Sequence, residues 1–170
     1  MDDREFEKVF WVIQPQLMRY ALTQLDASAA EDAVSSTFET LLNKLLAFPG
    51  SEGEERRLRA LAYEVLGGHV RNEYRSRKRR QALMDRIGLF EARRESARDI
   101  ADDIAEQGTI DYWLGQLSVE DQQVILLFNA GLEAAEIAQV LGCTPAAAAK
   151  RRGRARDRLR RIVNKERGME

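Results

Sequence analysis

Cysteine occurs once in 170 residues, at Cys143, which excludes an intrachain disulfide and a cysteine-rich zinc site. Histidine also occurs once, at His69, with no cysteine or histidine partner to form a metal site or a catalytic triad. Three prolines and 11 glycines are too few for a loop-rich or β-rich chain. No apolar run approaches the roughly 20 residues that span a bilayer. The start Met1-Asp2-Asp3-Arg4-Glu5 is acidic and lacks a signal-peptide pattern. There is no glycine-rich phosphate loop, no nucleophile–base set and no metal-ligand spacing, so nothing points to an enzyme or to a cofactor. What the chain does have is 44% hydrophobic and 32% charged residues, too apolar for disorder and too charged for a membrane protein. The expectation is a soluble, cytoplasmic, mostly helical protein with no membrane insertion.

Net charge is also nearly absent, with 27 basic against 28 acidic residues, but the charge is unevenly placed. Between Arg71 and Arg80 six cations (Arg71, Arg75, Arg77, Lys78, Arg79, Arg80) face one acid, Glu73. Between Cys143 and Arg167 ten cations face only Asp157 and Glu166. The stretch Glu91–Asp121 between them holds nine acids and three arginines. Two basic patches at the ends of separate apolar segments suggest two contact surfaces for a polyanion.

The apolar periodicity divides the chain. Phe6, Phe10, Ile13, Leu17, Met18 and Ala21 keep a helical spacing, and Pro15 predicts a kink or break near Gln14. Ser28 with Glu31 reads as a capping box for a helix carrying Val34, Phe38, Leu41, Leu42 and Leu45. Pro49-Gly50-Ser51-Glu52-Gly53 breaks the chain before a third helix near Glu54, which Gly67-Gly68 should weaken. From about Met84 to Gly108 the sequence reads as a linker. Trp11 and Trp113 are expected in cores. Tyr63 and Tyr74 suit either packing or stacking on unpaired bases.

The C-terminal segment is the most specific. Ser118 is positioned to cap a helix with Asp121 at its third residue, and Gly131 to end it. Ala134 to Leu141 is a short helix, Gly142-Cys143-Thr144 a tight turn, and Thr144 the cap of a last helix with Pro145 first. A short helix, a glycine turn and a basic second helix make a helix-turn-helix, whose second helix suits a DNA major groove.

These residues also carry a resemblance. Glu136-Ile137-Ala138-Gln139-Val140-Leu141-Gly142, then Arg154-Ala155-Arg156-Asp157-Arg158-Leu159, resemble region four of bacterial sigma factors. Ala30-Glu31-Asp32-Ala33-Val34 with Thr37-Phe38 resembles region two, and Arg59–Tyr63 and Val70–Arg75 resemble its promoter-reading end. Regions two and four alone, joined by a short linker, give the layout of the extracytoplasmic-function (group four) sigma factors. The implied fold is all-α, with two small helical domains: region two over residues 1–82, an acidic linker over 83–108 and region four over 109–170.

The resemblance implies a factor that binds core RNA polymerase, at the β′ clamp and the β subunit, directs it to promoter DNA and helps melt the start. Glu31, Asp32, Ser36 and Phe38 would lie on the core-binding helix. Arg71, Tyr74, Arg75, Arg77 and Lys78 would meet DNA near the minus-ten element. Lys150, Arg151, Arg152, Arg154 and Arg158 would meet the minus-thirty-five element. The loop Ala47–Glu55 would hold the base-flipping specificity loop, and the acidic linker would thread towards the active centre. An anti-sigma factor or a kinase would regulate it. The chain departs from the family at Ser35-Ser36, where Gln and an acid are usual, at Gly67-Gly68, where Arg-Asn is usual, and at the alanines 146–149, where hydrogen-bonding residues are usual. Phosphorylation of Ser35, Ser36 or Thr37 would restore a negative charge. The alternative is a stand-alone helix-turn-helix regulator, which would bind DNA without polymerase.

Overall fold

The computed structural model describes residues 3–44, 52–87, 105–166 and 168; the proposed specificity loop falls largely, and the linker centre entirely, outside them. Among the described residues there are seven helices and no strand: α1 (Asp3–Leu22), α2 (Ala27–Lys44), α3 (Glu52–Ile87), α4 (Ala105–Gly115), α5 (Val119–Asn129), α6 (Ala134–Leu141) and α7 (Pro145–Glu166).

In the N-terminal half α1, α2 and α3 pack mutually. Ile13, Leu17, Tyr20 and Ala21, at helical spacing along α1, are buried. Pro15 lies inside a continuous α1, so of the expected kink or break the break does not occur. A proline removes one i→i−4 bond, and here its own side chain is exposed while the flanking Ile13 and Leu17 are locked in the core. Trp11, expected in the core, is 65% exposed and lies edge-on to Phe10. The N-cap of α2 is Asp26 rather than Ser28: its carboxylate accepts the Ala29 N–H at 3.0 Å. That backbone N–H, with the Arg77 guanidinium, holds the Asp26 carboxyl below the usual range.

Helix α3 has 36 residues and runs straight through Gly67-Gly68, where weakening was expected. Burial of Leu66, Gly67 and Val70 outweighs the roughly 1 kcal/mol propensity cost of each glycine. Tyr63 is buried edge-on to Tyr20, 5.7 Å between ring centroids, so it packs and does not present a stacking face. Burial pushes the Tyr20 phenol up to about 12 and that of Tyr63 up as well. Beyond Arg77 the side chains of α3 are exposed through Met84.

In the C-terminal half α5 and α6 both pack on α7. Val124, Leu127, Ile137, Ala138 and Val140 meet Ala148 and Ala155 in its interior. That interior is continuous with the N-terminal core, because α3 packs on α6 and α1 on α5.

Candidate nucleic-acid interface

The helix-turn-helix is set by local chemistry. The Ser118 hydroxyl accepts the Asp121 N–H at 3.3 Å, which starts α5. Gly131, at φ 85°, ends it. Glu133 and Glu136 form a capping box at the start of α6, with the Glu133 N–H donating to Glu136 at 2.7 Å. Gly142, at φ 65°, closes α6 in the left-handed region that favours glycine. The Thr144 hydroxyl then accepts the Ala147 N–H at 3.2 Å, and Pro145 opens α7. Both half-helices and the turn therefore lie where the sequence placed them.

On α7 the basic residues divide into two sets. Ala148 and Ala155 face the interior, so Lys150 and Arg154 are exposed and Arg151 half-buried. Ala146 and Ala149 are exposed beside them and present methyl groups with no hydrogen-bonding capacity. Arg152 instead lies over the Phe128 ring, 4.7 Å from its centroid. Arg158 pairs with Asp121, whose carboxylate is almost fully buried. These two candidates brace α7 against α5. Their side chains are engaged within the fold.

On α3 the candidates divide in the same way. Tyr74, Arg75 and Lys78 are exposed. Arg77 bridges Asp26 at 2.7 Å and Glu73 at 3.0 Å, tying α3 to the cap of α2. Arg71 donates to the Val140 carbonyl in α6. Arg56, which the sequence did not single out, and Arg59, which it placed only within a promoter-reading motif, point the same way. Arg59 donates to the Ala130 carbonyl at 3.2 Å, and Arg56 pairs with Glu133 at 2.8 Å and Glu136 at 3.3 Å. The signal present in the sequence was two cations three residues apart on α3 and two acids three residues apart at the start of α6.

On α2, Glu31 and Asp32 are exposed, Ser35 is exposed and Ser36 half-buried. Phe38 is buried, 4.6 Å from the Phe10 ring centroid, so it supports the helix from inside and does not face a partner. Thr37 is fully buried and donates to the Ala33 carbonyl at 2.7 Å, which leaves it closed to a modifying enzyme in this state.

No helix among the described residues is long and apolar enough to cross a membrane, and no group of three His, Cys, Asp or Glu there could hold a metal ion.

Comparison with known proteins follows this geometry. Residues 108–159 match the family model for sigma-70, region 4, which encloses α5, α6 and most of α7. Comparison with curated protein sequences finds no match. Two solved structures share the fold. One is the sigma factor RpoE in complex with the anti-sigma factor NepR from Bartonella quintana, at 23% identity and TM-score 0.54, covering 95% of this chain and 98% of that one. The other is CnrH in complex with the cytosolic domain of CnrY, at 23% identity and TM-score 0.55, covering 96% and 90%. The C-terminal half is thus matched as sigma-70 region 4, and the chain as a whole shares the all-α fold of these two structures.

Proposed function

We propose that this chain is a sigma factor of the extracytoplasmic-function type, which binds core RNA polymerase and carries it to promoter DNA. The observation that carries the reading is a helix-turn-helix matched as sigma-70 region 4, on a chain whose whole length shares a fold with the sigma factor RpoE. The task involves no covalent chemistry. It requires two DNA contacts and one protein contact on a single chain.

Each contact has a structural basis. The exposed acids Glu31 and Asp32 near the start of α2 suit a basic surface on the β′ clamp. Tyr74, Arg75 and Lys78 on α3 suit the phosphates and opened bases of the minus-ten element. Lys150, Arg151 and Arg154, early on α7, suit base edges in the minus-thirty-five major groove, while Arg160 and Arg161 suit phosphates. The alanines at 146 and 149 let the helix approach thymine methyls, so specificity rests on few donors and on DNA shape. An anti-sigma protein, as RpoE has in NepR, or a kinase would regulate it, and the site of action is the cytoplasm.

A gel shift with and without core polymerase tests this. Promoter-containing fragments, selected by run-off transcription, should be bound tightly only when core is present. Tight binding by the chain alone, with no gain from core, would assign it instead to stand-alone helix-turn-helix regulators.

A further inference from the structure

Helices α1 and α2 are joined by the short turn Thr23–Asp26 and run antiparallel, so Phe10 near the start of α1 meets Phe38 towards the end of α2, 4.6 Å between ring centroids. Helix α1 carries two apolar faces. One is the core face of Ile13, Leu17, Tyr20 and Ala21, where Tyr20 meets Tyr63 of α3. The other is Trp11, Pro15, Met18 and Leu22, at positions i, i+4, i+7 and i+11, which fall on one side of a helix. Trp11 and Pro15 are exposed, and Met18 and Leu22 half-buried. This second stripe flanks Phe10 on the side away from α3.

On α2 the residues beside Phe38 on the same outer side are Glu31, Ser35 and Leu42, one or two turns away and all exposed. The two helices therefore border one outer groove, with Trp11 and Leu42 at one end and Met18 and Glu31 at the other. Trp11 is 65% exposed, and its indole N–H already donates to Glu7 at 3.5 Å. The ring is left as an apolar surface, backed edge-on by Phe10. An exposed apolar patch rimmed by polar residues marks a contact site, and tryptophan is enriched among the energetic anchors of such contacts. The charge around the groove has one sign. Glu7, Glu31 and Glu39 are exposed along it, whereas Lys8 and Arg19 lie at the far edge of α1, where Arg19 pairs with Asp111 of α4.

We propose that this groove seats a helix of core RNA polymerase that carries both apolar and basic side chains, with Trp11 as the anchor of the contact. The proposal rests on the sigma-factor reading and extends its protein contact from α2 to α1. Two observations select the occupant. An acid-rimmed apolar groove is complementary to a basic amphipathic helix and repels DNA. The groove is also continuous with Glu31 and Asp32, the acids assigned to the polymerase. Burial of Trp11 and Leu42 supplies the affinity and the acids supply the orientation, since exposed ion pairs add little by themselves.

Titration of the labelled full chain with core polymerase tests this. Trp11→Ala should weaken binding by about thirtyfold or more, the loss expected of an anchor residue, and Trp11→Phe should retain part of the affinity. Because Trp11 is exposed, both variants should keep the helicity and unfolding midpoint of the wild type. A photoreactive benzoylphenylalanine in place of Trp11 should crosslink to a polymerase subunit. Wild-type affinity in folded Trp11→Ala, alongside a loss in Asp32→Arg, would overturn the groove and leave the sigma-factor reading standing. Crosslinks only between copies of the chain would also overturn it and assign the groove to self-association. If the wild type itself does not bind core, the sigma-factor reading falls and takes the proposal with it.

Discussion

The two basic helices use their cations differently. On α3, Arg56, Arg59 and Arg71 reach across to the C-terminal half. On α7, Arg152 and Arg158 turn back onto α5 within their own half. Among the cations each helix leaves exposed without such a contact are Arg75, Lys78 and Arg79 on one, and Lys150, Arg154, Arg156 and Arg160 on the other. A dense basic run is therefore not all free charge, because part of it serves protein packing. On α7 that packing leaves open the side proposed to face DNA, and on α3 it engages the arginines that hold the C-terminal half.

The strongest way to break this comparison is to empty the core on either side. Leu17 and Leu127 are both fully buried, one in each half, in a single continuous cluster. Replacing either with Ala should cost about 2–5 kcal/mol. Because the cluster is shared, each variant should shift one common unfolding transition in urea. Two separate transitions, with only one of them moved, would show that the halves do not stabilise each other.

Next in size are the recognition residues of α7. If Arg151 pairs with a guanine, Arg151→Ala should lose about 1–3 kcal/mol of discrimination and change the preferred minus-thirty-five sequence. Arg161→Ala, further along the helix, should weaken binding to all sequences and lower the salt slope by about one. Promoter-library transcription distinguishes the two, and identical preference profiles for wild type and Arg151→Ala would place base reading elsewhere.

A smaller effect separates bracing cations from exposed ones. Arg158→Ala strands the buried Asp121 carboxylate; with the arginine itself half-exposed, the stability loss should be about 1 kcal/mol. Arg75→Ala should leave stability within about 0.5 kcal/mol and weaken DNA binding. Chemical denaturation and a DNA titration on each variant read both quantities, and a reversed pattern would mean the assignments are exchanged.

The last effect is set by pH. The Tyr20 hydroxyl titrates near 10 when unfolded and is pushed to about 12 in the fold by burial. A group whose pKa is raised on folding stabilises fully below its unfolded value. Stability should therefore fall as pH rises from about 10 through 12, and Tyr20→Phe should flatten that fall. An unchanged slope in the variant would mean other groups dominate.

Much of the C-terminal half was legible because its signals are local. Ser118, Gly131, Gly142, Thr144 and Pro145 each act on backbone groups within a few residues, and their spacing alone locates α5, α6 and α7. In the N-terminal half tertiary packing overrode local preference. Pro15 and Gly67-Gly68 read as weak points yet lie inside continuous helices, and Asp26 outcompeted Ser28 as a cap while also pairing with Arg77. The partners of Arg56, Arg59 and Arg71 lie 69 to 80 residues away, a distance that no helical periodicity reports. Phe38 shows the converse limit, since a motif can mark a residue without telling which way it faces.

The central claim is that the halves touch in the free chain, joined by one continuous core. Spin labels at Ser28 on α2 and Gln139 on α6, both exposed, in a Cys143→Ser background report it directly by double electron–electron resonance. The free protein should give one narrow, short distance. A broad distribution reaching several tens of ångströms longer would contradict the account.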